Sequence, residues 1–299
     1  MSKTILMGPF CAPNVNVINT ELVVGIPSPL AALGFARKFA ILLGEDSKGT
    51  EQACAIFHSF RMADGRHKPS PTNKSGDDYS NVETPEKITG HTTFSIVVHY
   101  PNGLDTNTTK IWETLMRMRF AGSNLFPANQ KGQSTGWHNV KPEHHIRHVQ
   151  DERDLLKSLK HIPQGWMYLP VNEDTNTLVF SDGKNNIHSL LDKIQSAQRA
   201  NENEKVMLRP TLCGFQFYQE CRQPKTESTM ARAIVAPLFS HAEQVSSRSL
   251  VYKKPNFNLS GDLWGHDTCE SRDITFLSPR YKNKKLLAAH FAQQQGDTL

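Results

Sequence analysis

The 299-residue sequence lacks paired cysteines, long apolar runs and a large excess of charge of one sign. Its five cysteines are scattered without a Cys-x-x-Cys pair, which argues against both a disulfide framework and a zinc ribbon. No segment approaches the roughly 20 apolar residues that span a bilayer, and the first residues hold no sustained apolar run. We therefore expect a cytoplasmic protein with no membrane partner.

Common catalytic signatures are also missing. The sequence contains no Gly-x-Ser-x-Gly elbow, no phosphate-binding P-loop and no dinucleotide fingerprint. The charge balance is only mildly basic, with 34 Lys and Arg against 29 Asp and Glu. Such a balance permits a local basic groove for phosphates but is weaker than expected if bulk charge attracted nucleic acid, and an ordinary basic globular protein fits it equally.

The apolar pattern of the first 127 residues predicts the order strand, helix, strand, strand, helix, strand. Ser28 can cap the first helix, which begins at Pro29 and stops at Gly44. The predicted strands cover 4–7 with 15–24, 54–62, 90–100 and 123–126, and the second helix starts at about Thr108. This order is typical of a ferredoxin-like or RRM domain, which we assign to residues 1–130 in an α+β chain.

Two further regions follow in the sequence. Residues 131–205 are interpreted as a helical elaboration, with a charged helix at 142–162, a strand at 166–171 and a strongly periodic helix near 187–194. Residues 206–299 are predicted to be β-rich, with strands at 206–218 and 233–239 and a terminal basic helix around 282–292.

A long polar segment at 63–89 is rich in Gly, Pro, Ser, Asn and Asp and has no periodicity. It carries the cations and amide donors that a phosphate clamp needs, namely Arg66, His67, Lys68, Asn73 and Lys74. A loop that is basic by chance remains an equal alternative. Arg117 and Arg119 are likewise open between phosphate contacts and partners of the helix dipole, since they are predicted to lie in the last turn of the second helix.

Histidine is frequent, and His144 and His148 lie one turn apart on the predicted charged helix. Without a His-Glu-x-x-His register or an identifiable third ligand, a solvated helix face is the better interpretation. We therefore expect no metal and no cofactor. A metal-independent ribonuclease that uses His with Tyr or Lys stays as one alternative, and a metal-dependent hydrolase that uses His144 and His148 as another.

Two sequence blocks are more specific. The first is Gly25-Ile26-Pro27-Ser28-Pro29-Leu30-Ala31-Ala32-Leu33-Gly34-Phe35, and the second is Met118-Arg119-Phe120-Ala121-Gly122-Ser123. They resemble, respectively, the block that opens the first helix and the Arg, hydrophobic, Ala-Gly-Gly segment of the type I-F CRISPR 5′-handle-binding subunit of the RAMP superfamily, with Ser123 at the second glycine. Diffuse similarity covers 164–171, 233–239 and Arg248. A proline-fixed turn with small residues would let an RNA backbone approach the helix start.

The resemblance implies a non-catalytic subunit of the Cascade-type surveillance complex that binds the 5′ handle of the crRNA and caps the repeated backbone subunits. It implies an RRM-like domain whose long loop acts as a thumb. Target DNA within the complex is a further implied partner, and the presence of a large subunit stays open. The predicted RNA-binding residues are Asn16, Ser28, Arg61, Arg66, His67, Lys68, Asn73, Lys74, Arg117, Arg119, Asn124 and Arg248.

Compact variants of this complex lack a separate large subunit, and the resemblance then implies that this subunit also contacts the DNA duplex beside the target. Our hypothesis assigns that contact to residues 131–205, because their entry is basic and bears Gly and Asn. The predicted DNA-binding residues are Lys131, Asn139, Lys141 and Arg147.

Overall fold

The structure is a computed structural model that describes residues 2–18, 24–45, 49–63, 74–75, 78–79, 88–104, 107–170, 179–180, 192, 195–196, 207–217, 235–253, 256–269 and 274–278. These residues form a mixed α+β structure built mostly on antiparallel sheet. The helices are α1 (Pro29–Leu42), α2 (Thr108–Leu115), α3 (Glu152–Leu159) and α4 (Leu250–Lys253). The strands are β1 (Ser2–Asn16), β2 (Gln52–Met62), β3 (Lys74–Ser75), β4 (Asp78–Tyr79), β5 (Thr89–Leu104), β6 (Arg119–Phe120), β7 (Ser123–Asn124), β8 (Phe126–Pro127), β9 (Ile146–Val149), β10 (Trp166–Pro170), β11 (Val179–Phe180), β12 (Met207–Phe217), β13 (Val235–Ser246), β14 (Trp264–Cys269) and β15 (Ile274–Ser278).

The N-terminal part of the sheet has the spatial order β8–β1–β5–β2, and β9 continues the β8 edge alongside β1. Every pairing in it is antiparallel. Helix α1 connects β1 to β2, and α2 lies between β5 and β8 in the chain. The strand, helix, strand, strand, helix, strand order predicted from the sequence is therefore confirmed for this part.

The C-terminal strands close a ring against β2. One edge of β2 pairs with β5, while its other edge pairs first with β14 and then with β10. From β10 the ring continues through β13, β12 and β15 back to β14, so six strands return to their starting point. Ring closure leaves these strands few open edges, which is how antiparallel proteins protect unpaired backbone groups.

Alternation along the strands creates two hydrophobic cores, one on each face of the sheet. Phe94, Ile96 and Val98 of β5 pack with α1 and α2 on one face. Val97, between them in sequence, packs on the other face with α3 and the residues leading into β14. This period of two is what the sequence predicted for β5.

Both predicted helix starts are confirmed. Ser28 occupies the N-cap position of α1 with extended backbone, and Pro29 is the first helical residue. The helix ends at Leu42, just before Gly44, which has a left-handed φ of +82°. Helix α2 begins at Thr108 and ends at Leu115, so the prediction that Arg117 and Arg119 lie in its last turn is wrong. Their role as phosphate contacts or as partners of the helix dipole stays a prediction.

The single helix predicted for 142–162 is also wrong. The segment divides into a 3₁₀ helix at Pro142–His144, strand β9 and helix α3. Ile146 and Val149 are buried as strand residues because β1 offers an unpaired edge beside them, and tertiary pairing overrides the local helical spacing. Strands β9 and β10 join the main sheet, so residues 131–170 do not form a purely helical elaboration.

Several predictions lie outside the described residues. They are most of the loop at 63–89, most of the helix near 187–194 and the terminal helix around 282–292. The strands predicted at 166–171, 206–218 and 233–239 are confirmed as β10, β12 and β13. Within the described ranges, no helix combines the length and the apolar character needed to cross a bilayer.

Candidate nucleic-acid interface

The second sequence block forms a tight β-hairpin from β6 and β7. Arg119 pairs with Asn124 and Phe120 with Ser123, which leaves Ala121 and Gly122 as a two-residue turn. Both turn residues have left-handed φ, +46° at Ala121 and +84° at Gly122. Two positive φ values define a type I′ turn, which matches the twist of the paired strands. At Ala121, the left-handed conformation costs about 1 kcal/mol because of its Cβ.

Three contacts hold this strained hairpin in place. The Phe120 ring is fully buried and stacks on Phe94 with 4.1 Å between ring centroids. The backbone N–H of Asn16 donates to the Ala121 carbonyl oxygen over 2.8 Å. The Ser123 hydroxyl donates to the Pro13 carbonyl oxygen. Strain of this kind persists only where the surroundings over-determine it, and it concentrates at functional sites.

The hairpin turn forms one wall of a cleft of about 320 Å³, which we call the hairpin cleft. The end of β1 supplies Asn16, the start of α1 supplies Ser28 and Ala31, and β12 supplies Leu212. Ala121 and Gly122 also line it, so the two sequence blocks, far apart along the chain, meet here. The helix start and the hairpin turn contribute small residues to the lining, which permits close approach to backbone there.

Two features at or near this cleft favour anions. The N-terminus of the 14-residue α1 opens into it at Ser28, and helix N-termini favour anions. Arg119 and Arg117 are exposed on the hairpin and in the turn before it. The Arg119 Nε–H donates to the Asn124 side-chain oxygen over 3.1 Å, which orients the guanidinium along the hairpin. Cations and a helix start beside a cleft can bind a phosphodiester backbone.

Of the predicted RNA-binding residues, Asn16, Ser28, Arg119 and Asn124 therefore lie in the hairpin cleft or on the hairpin that forms it. Sequence analysis did not select Ala121, Gly122 or Leu212 as site residues. The Ala-Gly pair was a detectable signal, since it is typical of a left-handed turn. Leu212 carried no local signal, because a strand from the other end of the chain brings it there.

Other predicted residues lie elsewhere. Arg61 lines a groove of about 420 Å³ with His91 and Thr93, on the sheet face opposite α1 and α2. Arg248 follows β13 and donates to the Ile162 carbonyl oxygen over 2.9 Å, away from both clefts. Lys74 lies in β3, and its side chain is not among the described ones. Arg66, His67, Lys68 and Asn73 lie outside the described residues.

The predicted DNA-binding residues are dispersed over the region 131–147. Lys131, Asn139 and Lys141 are exposed. Arg147 is half-buried in β9, and within the described part of the chain its buried Nε has no hydrogen-bond partner. Lys131 and Lys141 are thus the cations of this set that a duplex can reach.

The helical spacing that made His144 and His148 candidate metal ligands is not present. His144 ends the 3₁₀ helix, whereas His148 lies in strand β9. Among the residues that the structure describes, no three His, Cys, Asp or Glu side chains come together as a metal site.

A second cavity, of about 370 Å³, lies on the other side of the segment 24–29 and faces the strand ring. We call it the ring cavity. Its aromatic lining is Phe57, Tyr168 and Trp264, and its polar lining includes Arg209 and Gln244. Burial raises the pKa of the Tyr168 hydroxyl, and the nearby positive charge of Arg209 opposes that rise. Sequence analysis missed these residues because they come from five strands whose pairing no local pattern reveals.

Comparison with known proteins adds no family assignment to this geometry. The chain matches no protein-family model and no curated protein. The functional interpretation therefore depends on the hairpin cleft, the ring cavity and the two sequence blocks that meet at the first of them.

Proposed function

We propose that this chain is a non-catalytic, RNA-binding subunit of a type I-F CRISPR surveillance complex and that it holds the 5′ handle of the guide RNA in the hairpin cleft. One observation carries the proposal. Ser28 and the Ala121-Gly122 turn, which belong to the two blocks that resemble the handle-binding subunit, line the same cleft. Residues that act on one ligand must converge in space, and these do.

The chemistry of the cleft suits a single-stranded backbone. Small side chains at Ala31, Ala121 and Gly122 leave room for sugar and phosphate. The α1 N-terminus and Arg119 supply partial and full positive charge for phosphate oxygens. Phosphate contacts of this kind position a strand without reading its sequence.

The sheet order supports the finer fold interpretation. A ferredoxin-like domain places its fourth strand beside the first and its third between the first and second, because each strand-helix-strand unit crosses over a neighbouring strand. The order β8–β1–β5–β2 fits that arrangement. In the proposed complex, the segment between β2 and β5 is the thumb that meets the adjacent backbone subunit, and the chain caps that row of subunits.

The proposal extends to target DNA as the partner in the assembled complex. Exposed Lys131 and Lys141 support a duplex contact on the 131–170 side, as in the compact variant of the complex. Deleting residues 131–205 does not test this idea, because it removes β9 and β10 from the main sheet. Single and double lysine substitutions are the suitable test. The identity of the neighbouring genes would show whether a large subunit also belongs to the complex.

The experiment is incubation of the purified full chain with synthetic repeat RNA, with and without EDTA, followed by gel-shift and denaturing-gel assays. The proposal expects a shifted band and intact RNA in both conditions. Cleavage that resists EDTA would instead identify a metal-independent ribonuclease, and cleavage that EDTA abolishes a metal-dependent hydrolase. A chain that neither shifts the RNA nor co-purifies with co-expressed backbone subunits overturns the proposal.

Two arginine variants test whether RNA binds at the hairpin cleft. Arg119→Ala removes the hairpin cation, and Arg153→Ala removes an equally exposed arginine on α3, a helix packed on the opposite sheet face. The proposal expects weaker RNA binding in the first variant and wild-type binding in the second. Equal effects in both variants contradict binding at the hairpin cleft.

A further inference from the structure

The ring cavity has the composition of a base pocket. Five strands of the ring contribute to its wall, and the segment 24–29 closes one side. Its volume of about 370 Å³ falls at the lower end of the range for small-molecule sites, which suits one nucleotide. The same Gly25–Pro29 segment separates it from the hairpin cleft, since Pro27 and Ser28 line both spaces.

The aromatic residues of the cavity offer a stacking surface. Tyr168 is half-buried, and its ring meets Phe57 edge-on with centroids 6.1 Å apart. The Trp264 indole N–H donates to the Tyr168 carbonyl oxygen over 2.6 Å, which fixes the backbone that carries the tyrosine. A held aromatic ring beside an opening is the platform on which single-stranded bases stack.

Two polar residues of the cavity, Arg209 and Gln244, offer hydrogen-bond donors, and Ser28 and Thr211 add hydroxyl groups. The Arg209 Nε–H donates to the side-chain oxygen of Gln244 over 2.9 Å. This bond engages one of the five guanidinium N–H donors and holds the group at the cavity wall. It also occupies the amide oxygen of Gln244, so the amide NH₂ is the group that Gln244 has left to offer. The wall is therefore rich in donors.

Donor-rich chemistry selects among bases. Guanine presents two acceptors, O6 and N7, side by side, which is the pattern that arginine reads in bidentate fashion. Adenine presents N7 next to an N6 donor, which would face another donor here. A purine also gives more stacking area than a pyrimidine. We infer that the ring cavity takes one guanine, unstacked from the RNA strand whose backbone lies in the adjacent hairpin cleft.

This inference rests on the proposed function, because it needs RNA at the hairpin cleft. The probes are 5′-fluorescein octaribonucleotides: all-uridine, and the same strand with guanine or adenine at the fourth position. Fluorescence anisotropy with the full chain should show about tenfold tighter binding of the guanine strand than of the other two, the range expected for one bidentate base contact.

Arg209→Lys keeps the positive charge but not the planar fork, so it should bind all three strands alike, at the affinity that the wild type shows for uridine. Arg209→Leu should also lose the guanine preference. Arg153→Leu, the matched loss of an exposed arginine on α3, should keep it. Thermal unfolding of each variant tests whether a loss of preference comes from the site or from the fold.

The outcomes separate the two proposals. Equal affinity of the wild type for all three strands overturns the guanine pocket and leaves the RNA-binding function in place. A guanine preference that survives in Arg209→Lys, or a preference for adenine, also overturns it. Absence of binding to every strand and to repeat RNA overturns the proposed function and this inference with it.

Discussion

The backbone N–H of Asn16 donates to the carbonyl oxygen of Ala121 over 2.8 Å. This hydrogen bond ties the last residue of β1 to the tip of the β6–β7 hairpin, at Ala121, whose backbone is left-handed although it is not a glycine. The strand end, the hairpin and the start of α1 therefore keep a fixed spacing. A binding cleft with fixed walls loses less entropy when a ligand enters.

The hairpin depends on one aromatic residue. Replacing Phe120 with Ala removes a fully buried ring stacked on Phe94 and should lower the free energy of unfolding by about 3–5 kcal/mol. Urea unfolding measures the change as a lower midpoint with an unchanged slope. Phe126→Ala, at a half-buried position in β8, is the control and should cost clearly less. Equal losses would show that Phe120 has no special role.

Two exposed glycines should respond in opposite directions to the same substitution. A Cβ added at Gly122 or at Gly34 meets no atom within 4 Å, but only Gly122 has a left-handed φ. Gly122→Ala should therefore destabilise the protein by about 1 kcal/mol through backbone strain. Gly34→Ala, inside α1, should stabilise it by about 1 kcal/mol. Thermal unfolding reports both, and a shift of the same sign in the two variants would refute the assignment of strain to the turn.

RNA binding should weaken with salt, since phosphate contacts release counterions. If Arg119 contacts one phosphate, Arg119→Ala should reduce the slope of log affinity against log salt by about 0.7, the value for one contact on a single strand. Arg153→Ala should leave the slope unchanged. Anisotropy titrations with repeat RNA at several salt concentrations give both slopes, and an unchanged slope in Arg119→Ala removes this residue from the backbone contacts.

Acid should destabilise the fold through His58. Burial, with a smaller contribution from the Arg248 charge, lowers the pKa of this histidine from 6.5 to about 4, against opposing hydrogen bonds to the Gln164 and Pro163 carbonyls. Between these two values the unfolded chain binds a proton that the folded chain does not, so stability present above pH 6.5 is lost as the pH falls toward 4. The loss from His58 alone is about 3 kcal/mol.

The control for this prediction is a second histidine. His58→Gln should flatten the decline in unfolding free energy between pH 6.5 and pH 4, whereas His144→Gln, at an exposed position, should follow the wild type. Part of the decline should remain in His58→Gln, because burial also lowers the pKa values of His145, His148 and His266. Urea unfolding at a series of pH values measures it. A His58→Gln profile parallel to wild type would disprove the contribution of His58.

Duplex binding should depend on the exposed lysines of the 131–147 region. The double variant Lys131→Ala with Lys141→Ala should weaken binding of the assembled complex to target duplex, with little change in its RNA content, because both side chains lie outside the hairpin cleft. Lys157→Ala with Lys160→Ala, two exposed lysines at the end of α3, provides the control for lost charge. Gel shifts with duplex DNA compare them, and equal loss in both double variants would show a nonspecific effect of charge.

Local signals predicted those elements whose packing agrees with their sequence pattern. Strand β5 has apolar residues at every second position from Phe94 to Tyr100, and α1 carries a proline at its start and a glycine after its end. The helix prediction failed for segment 146–149 because the spacing of its apolar residues fits a helix as well as a short strand. Pairing with the free edge of β1 favours the strand. Such a choice is made by long-range pairing, which a single sequence does not reveal.

The candidate site was also predictable only in part. The two blocks singled out in the sequence supply Ser28, Arg119 and the hairpin turn, because turns and helix starts are local features. The ring cavity could not be predicted from the sequence, since Tyr168, Arg209 and Gln244 come together only when strands distant along the chain pair with one another. Turns and helix starts can be predicted from neighbouring residues in the sequence, whereas the lining of a cavity depends on how distant strands pair.

Ring closure also has a consequence for synthesis. The Gln52 side chain of β2 donates to the Ser260 carbonyl oxygen just ahead of β14, and these residues are 208 positions apart. At 5–20 residues per second, a ribosome needs roughly 10–40 s to make that stretch. For this interval the part of the β2 edge that pairs with β14 has no partner strand, so we expect recombinant yield to depend on growth temperature and on an intact C-terminal region.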